Sequence, residues 1–160
     1  MLVALAVALG LYFTIGQNSK EVPAWITLPP GASVQASESA PEDQADGGVR
    51  YYLRFKMPGD VATALTQFTS GIRETKWEVA APRVATRDDL GVRGSWPEWV
   101  KKQMHRVPDV SAGRAMSGSA SGERLYAYAW PTKEACVVEL VVMGTARGPA
   151  APAKAKPVEE

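Results

Sequence analysis

The chain has 160 residues, with 18 Lys and Arg against 17 Asp and Glu, and a single cysteine. Nearly balanced charge excludes the strongly basic surface of a typical nucleic-acid-binding protein. One cysteine excludes an intramolecular disulfide. Without its apolar start and its polar ends, the chain keeps roughly 115 residues, enough for one domain with one core.

The first sixteen residues, MLVALAVALGLYFTIG, contain no charged side chain. As a helix, this segment would be about 24 Å long, somewhat short of the ~30 Å hydrocarbon core, with Tyr12 and Trp25 near the interfaces that favour aromatic rings. A secretory signal usually begins with basic residues, which are missing here, and the cleavage-like site at Val22–Ala24 lies far downstream. We therefore expect a single, uncleaved transmembrane helix, with a cleaved signal peptide as the alternative.

The apolar segment offers packing rather than chemistry. It contains no His, Asp, Glu, Lys or Arg, so it provides neither a proton relay nor a ligand for a pigment. The small side chains of Ala4, Ala8 and Gly10 allow neighbouring helices to approach closely. We expect Ala4, Ala8 and Tyr12 to contact other membrane-protein subunits and the lipid bilayer.

Composition divides the chain into four parts. We expect a transmembrane anchor at 1–16, a linker at 17–30, an α+β domain at 31–147 and a Pro/Ala-rich tail at 148–160. Within the domain, residues 37–48, SESAPEDQADGG, contain four acids and no base. Such a composition cannot bury apolar surface and predicts a solvated loop.

The periodicity of the domain predicts strands and one main helix. Apolar and polar residues alternate in Val49–Met57, as in a half-buried antiparallel strand. Asp60 can cap a helix over 60–75, because Ala64, Leu65 and Phe68 recur at helical spacing. Further strands are expected around 32–37, at Trp77–Val79, and at 124–130 and 135–145, the last two joined as a hairpin. The pattern predicts an α+β fold: an antiparallel sheet of about four to five strands with one main helix packed on one face.

The turn LPPGASV, the strand that runs into MPGDVATALTQFTSGIRETKWEV, and the closing hairpin resemble a widespread class of small bacterial envelope domains. The resemblance covers residues 26–145 and implies a periplasmic binding or assembly module behind one anchor. In layout alone, an anchored small subunit with a periplasmic domain also resembles the accessory structural subunits of bacterial reaction-centre and antenna complexes. Residues 83–122 depart from the envelope-domain plan as a long insertion.

The insertion contains two tryptophans beside a basic stretch. Ser95 and Glu98 have capping-box spacing around Pro97, which predicts a short helix over WPEWVKKQM. Trp96 and Trp99 share one side of that helix, next to lysines and an arginine. They either dock on a partner or on the membrane interface, or they close the open side of the core.

One strand of the hairpin leaves its exposed face undecided. Tyr126, Tyr128 and Trp130 alternate with Leu125, Ala127 and Ala129. If the small face packs under the helix, the aromatic face is exposed beside Arg50 and Arg54, which is typical of a protein interface. Otherwise the aromatic rings pack inward. The candidate partner-binding residues of the domain are Arg50, Arg54, Trp96, Trp99, Tyr126, Tyr128 and Trp130.

No catalytic or metal-binding constellation stands out. His105 is the only histidine, Cys136 the only cysteine, and neither has ligand-like spacing with other donors. Cys136 is expected to be a buried, inert thiol, and the adjacent Asp88 and Asp89 to belong to a solvated turn. We therefore expect no catalytic residue, cofactor, metal or small-molecule substrate.

These observations together predict a non-catalytic accessory subunit. We expect it to span the bacterial inner membrane once, with a periplasmic domain that stabilises a larger complex, such as a photosynthetic assembly. The alternative is an exported, soluble periplasmic binding module with a cleaved signal peptide.

Overall fold

A computed structural model describes residues 22–40, 48–73, 77–107 and 109–144. These residues form a seven-stranded antiparallel sheet and three helices. The strands are β1 (Ser33–Ser39), β2 (Val49–Met57), β3 (Glu78–Val79), β4 (Arg83–Val84), β5 (Arg114–Ala120), β6 (Glu123–Pro131) and β7 (Cys136–Met143). The helices are α1 (Val61–Arg73), α2 (Arg87–Gly94) and α3 (Glu98–Lys101).

The last strand of the chain lies in the middle of the sheet. The strand order is β1-β2-β7-β6-β5-β3, and β4 also pairs with β5. β7 therefore lies between β2 and β6, with Leu140 opposite Leu53 and Ala127. Because this strand has a partner on each edge and cover on both faces, its sequence is an almost continuous apolar run.

Helix α1 covers the first face of the sheet. Asp60 caps it, because one carboxylate oxygen accepts hydrogen bonds from the backbone N–H groups of Ala62 (2.9 Å) and Thr63 (3.0 Å). The helical stripe that includes Leu65 and Phe68 is fully buried against β2, β6 and β7. The predicted strand at 49–57 and the predicted helix at 60–75 are both confirmed.

Residues 80–112 cover the second face. They contribute β4, α2, α3 and the loop that follows, and they bury a second cluster around Trp96 and Val100. The sheet supplies the other half of this cluster with Tyr52, Tyr128, Trp130 and Val141. The domain therefore has two apolar cores, one on each face of a single sheet.

The predicted fold class is wrong. The described residues are mostly antiparallel sheet, with seven strands rather than about four to five, and their helices are short and lie on both faces. Residues 117–120 belong to β5 because the backbone pairs with β6 from Arg114 to Ala120, although their small side chains give no strand pattern. No helix within the described ranges is long and apolar enough to cross a bilayer. The predicted anchor at 1–16 lies outside these ranges.

Gly113 is required by the packing of the second face. A Cβ atom at this position would overlap the indole ring of Trp130. We expect Gly113→Ala to destabilise the domain by about 1–3 kcal/mol, because the overlap must be relieved by moving a buried ring. The measurement is urea unfolding followed by circular dichroism.

Gly91→Ala is the matched control for Gly113→Ala. Gly91 lies in α2, where an added Cβ meets no atom within 4 Å in the described structure. This variant should gain about 0.5–1 kcal/mol from helix propensity. Unchanged stability of Gly113→Ala would contradict the described packing of Trp130.

Candidate functional site

The side chain of Glu139 is a charged group at the centre of the second core. Glu139 lies in the middle of β7, is 0 % exposed, and sits opposite Arg54 of β2 and Tyr128 of β6. A carboxylate that loses its water on burial is costly unless donors replace that water. The donors around Glu139 therefore determine whether its carboxylate is free to act on a ligand.

Four donors surround this carboxylate, two on each oxygen. Oε1 accepts hydrogen bonds from the Tyr52 hydroxyl (2.9 Å) and the His105 backbone N–H (2.7 Å). Oε2 accepts from an Arg93 nitrogen (2.5 Å) and the Trp130 indole N–H (2.8 Å). We call Glu139, Tyr52, Arg93, Trp130 and the His105 backbone the Glu139 cluster. A carboxylate has about four lone-pair positions, so all are occupied.

Arg93 of α2 also contacts other residues of the segment 80–112 and the aromatic rings beneath it. The same guanidinium nitrogen donates to the His105 carbonyl at 2.9 Å. The guanidinium carbon also lies 5.0 Å from the centre of the Trp130 ring and 5.8 Å from that of Trp96, within cation–π range. The Arg54 guanidinium donates to the Gln103 carbonyl, and the Tyr52 hydroxyl, whose single proton is donated to Glu139, lies 3.2 Å from the same carbonyl oxygen. These bonds fix α2 and residues 103–105 on the sheet.

This geometry suits a structural role better than a catalytic one. A general base must come within about 3 Å of a substrate proton, whereas both oxygens of Glu139 are taken and the group has no exposed surface. Burial, followed by the charge of Glu139, raises the pKa of the Tyr52 hydroxyl well above its usual range, so the hydroxyl stays a donor. The arrangement can hold residues 80–112 on the sheet.

His105 lies in the loop that follows α3. Its imidazole is half-buried. Burial lowers the pKa of this imidazole, Glu139 opposes that change, and Arg54 and Arg93 reinforce it. A lowered pKa favours the neutral ring at pH 7.

Cys136 is buried, as predicted, and its Sγ atom lies 3.6 Å from the Met57 carbonyl oxygen. Burial raises the pKa of this thiol, which opposes formation of a reactive thiolate. Within the described ranges, no three His, Cys, Asp or Glu side chains are grouped as a metal site would need.

The pair Asp88–Asp89 divides into one exposed and one buried residue. Asp89 accepts hydrogen bonds from two Arg83 nitrogens (2.7 and 2.8 Å) and from the Thr86 backbone N–H (2.7 Å). Asp89 and Thr86 therefore form a capping box at the N-terminus of α2. The hydrogen bonds from the Arg83 side chain are the largest cause that holds the pKa of Asp89 below its ordinary value.

Asp89→Asn tests this assignment through pH. Because the folded-state pKa is lowered, the carboxylate stabilises the fold above the unfolded pKa of about 3.9 and stops doing so as pH falls through the folded value. We expect a loss of about 1 kcal/mol at pH 7. The difference from the parent should shrink below pH about 4.

The exposed neighbour provides the control for this experiment. Asp88→Asn should change the unfolding free energy by less than about 0.5 kcal/mol at either pH. An equal loss for Asp89→Asn at pH 7 and at pH 3 would show that the carboxylate charge is not what stabilises α2.

The residues predicted to bind partners are not brought together on one surface. Trp96, Tyr128 and Trp130 are at most 1 % exposed and contact the protein's own core. For Trp96, the alternative of closing the core is therefore the correct one. The face of β6 with Ala127 and Ala129 packs under α1, and residues 80–112 cover its aromatic face. The alternative in which Tyr128 and Trp130 are exposed is therefore wrong.

The remaining candidates keep some exposed surface. Arg50, Arg54, Trp99 and Tyr126 are half-buried. Their contact with a partner stays a prediction. Ala4, Ala8 and Tyr12 lie outside the described residues.

A pocket of about 230 Å³ opens at one end of the sheet. Its aromatic wall is built by Trp25 and Trp77, whose ring centres are 5.5 Å apart, together with Tyr51. Arg50 and Glu123 add one charge of each sign. We call this the entry-end pocket.

The two ends of the described domain meet at this pocket. Pro23 lines it, and residues 22–32 then run along α1, where Ile26 is buried and Thr27 approaches Gly71. Met143, the last residue of β7, lies opposite Val49, the first of β2. We call this edge, with Ser39, Val49, Glu123 and Met143, the entry end of the sheet.

Sequence reasoning missed both the Glu139 cluster and the entry-end pocket. A single glutamate inside the apolar strand CVVELVVM was the available signal for the cluster, because such a residue needs buried donors. The donors themselves come from distant positions with no common spacing. The pocket has a weaker signal, namely Trp25 shortly after the apolar segment.

No protein-family model, no curated protein and no solved structure matches this chain.

Proposed function

We propose that this protein is a non-catalytic, membrane-attached accessory subunit of a larger bacterial inner-membrane complex, with its domain on the periplasmic side. The observation that carries the proposal is that the cleavage-like site is part of the folded domain. Val22 packs against the core under α1, and the Pro23 carbonyl accepts a hydrogen bond from the Ile26 N–H at 2.9 Å. Cleavage after Ala24 would remove these contacts, which favours a retained apolar segment.

The use of the polar side chains supports a binding or assembly role. The Glu139 cluster is committed to holding residues 80–112 on the sheet, and Asp89 to contacts within that segment. The half-buried Trp99 and Tyr126 keep exposed surface for contact with another protein, and Trp and Tyr are residue types enriched at interfaces. A photosynthetic complex as the partner stays a prediction from layout.

The proposal is tested by the size and neighbours of the native protein. Membranes are solubilised in mild detergent, and the complex is measured by size exclusion with light scattering. We expect a protein mass well above the 17.2 kDa of one chain. A monomer of that mass would contradict the subunit assignment.

Site-specific photocrosslinking locates the contact. A photoreactive phenylalanine analogue replaces Tyr126, and in a second strain it replaces Lys133, an exposed residue of the β6–β7 turn. We expect a crosslinked partner with the first substitution and a much weaker one with the second. Equal yields at the two positions would contradict a contact through Tyr126.

A further inference from the structure

We infer that the entry end of the sheet rests on the lipid surface, with Trp25 inserted at the boundary between headgroups and acyl chains. This inference rests on the proposed function, because it needs the apolar segment to remain in the bilayer. It adds an orientation and a contact: the protein would be held by lipid at a second point, distinct from residues 1–16.

Chain length brings the pocket close to the bilayer. Residues 17–21 connect the apolar segment to Val22 and span at most about 18 Å when fully extended. Pro23 already lines the pocket, and Trp25 forms part of its wall. The connection therefore sets an upper limit on the distance between the pocket and the surface at which residues 1–16 would end, and it is short enough for the two to touch.

The aromatic wall has the chemistry that this layer favours. Indole rings concentrate at membrane interfaces because they join an apolar body to one polar N–H. Trp25 is partly exposed, while Trp77 beneath it is 4 % exposed and Tyr51 is held by a 2.8 Å hydrogen bond between its hydroxyl and that of Ser37. The partly exposed ring of Trp25 therefore lies next to two fixed aromatic side chains, Trp77 and Tyr51.

The charges at this end argue against electrostatic binding to anionic lipid. Arg50 and Glu123 line the same pocket, so one positive and one negative charge balance there. In the sequence, three further acids, Glu42, Asp43 and Asp46, lie between β1 and β2, and β1 ends at this end of the sheet. We therefore assign the contact to the aromatic rings and to a zwitterionic lipid surface.

The opposite end of the sheet provides an internal control. The turn between β6 and β7, which contains Lys133, lies at the far end of strands of eight to nine residues. At about 3.4 Å per residue, the two ends are separated by about 25–30 Å. A label at Lys133 should remain in water while one at the entry end does not.

The test uses the full chain in phosphatidylcholine vesicles, with Cys136→Ala to remove the native thiol. A nitroxide is attached at Ser39→Cys, which lines the pocket and is exposed, or at Lys133→Cys. Collisions with oxygen, which enriches in lipid, are compared with collisions with a polar nickel chelate. We expect the Ser39 label to be several-fold less accessible to nickel than the Lys133 label. Equal accessibility would overturn the inference.

Trp25→Ala tests the cause of the contact. We expect it to raise the nickel accessibility of the Ser39 label several-fold, whereas Trp99→Ala, on the covering segment, should leave it unchanged. Trp25→Phe keeps an aromatic ring and should stay close to the parent, which separates loss of the lipid contact from loss of the fold. No response to Trp25→Ala would overturn the role of this ring.

Three further outcomes test the mechanism of the contact and separate this inference from the proposed function. A Ser39 label that becomes protected only when phosphatidylglycerol is added would contradict the aromatic mechanism. A chain that stays in the bilayer after a high-pH wash but keeps a water-exposed Ser39 label would overturn the lipid contact and leave the proposed function intact. A chain that washes off would overturn both.

Discussion

Glu139→Ala is expected to destabilise the folded domain by about 3–5 kcal/mol, the range for breaking a buried ion pair by removing one partner. The Arg93 side chain is 5 % exposed, and without Glu139 its charge stays buried with no opposite charge beside it. The Tyr52 hydroxyl and the Trp130 indole N–H lose their acceptor in the same step. Urea unfolding at pH 7 gives the free-energy difference.

The matched control for this variant is Glu134→Ala. Glu134 is exposed in the turn between β6 and β7, so its removal should change the unfolding free energy by less than about 0.5 kcal/mol. Glu139→Ala with a loss as small as this control would mean that the Glu139 cluster does not hold the second core.

A double variant separates the ion pair from the simple loss of packing. Arg93→Met combined with Glu139→Leu replaces both charges by apolar side chains of similar size. Buried ion pairs can often be exchanged in this way at little cost, whereas either single change leaves a charge unpaired. We expect the double variant to be more stable than either single variant.

Trp96→Ala is expected to have the second largest effect, a loss of about 3–5 kcal/mol. Trp96 is 1 % exposed, and its ring centre lies 5.8 Å from that of Tyr128 and 6.5 Å from that of Tyr52. Removing the indole leaves a cavity between residues 80–112 and the sheet. Unfolding by urea and the near-ultraviolet circular dichroism of the aromatic cluster report the change.

Trp99→Ala is the control, because Trp99 is the same residue type three positions along and only half-buried. Removing the Trp99 side chain should lower the unfolding free energy by less than half as much as removing that of Trp96. Equal losses would contradict the assignment of Trp96 to the core and of Trp99 to the surface.

The elements on the first face of the sheet could be predicted because their patterns are local. Alternation in Val49–Met57 and the apolar stripe of α1 each follow from the period of a single element. The hairpin of β6 and β7 has a clear turn between two apolar runs. These parts of the fold need no knowledge of distant residues.

The second face could not be predicted because its partners are distant in the sequence. Tyr52 and Trp130 alternate as outward-facing positions would, and only residues 80–112 turn that face into a core. Within this segment, α2 has eight residues and α3 four, which is too short for a helical period to be recognised. The four donors of the Glu139 cluster come from four separate parts of the chain.

The same reasoning explains why the candidate interface changed. Exposed aromatic rings were one of two alternatives for β6, and residues 80–112 cover Tyr128 and Trp130. Trp25 at the entry end remains partly exposed, and so do Trp99 and Tyr126 elsewhere in the domain. Contact with the membrane and contact with a partner subunit would therefore use different parts of the domain.

The most direct test of the account is the intact mass of the mature protein recovered from membranes washed at high pH. We predict that it stays in the washed membranes with residues 1–24 attached, at the 17.2 kDa mass of the full chain. Recovery from the soluble fraction with Trp25 as the first residue would contradict the membrane attachment and support an exported binding module instead.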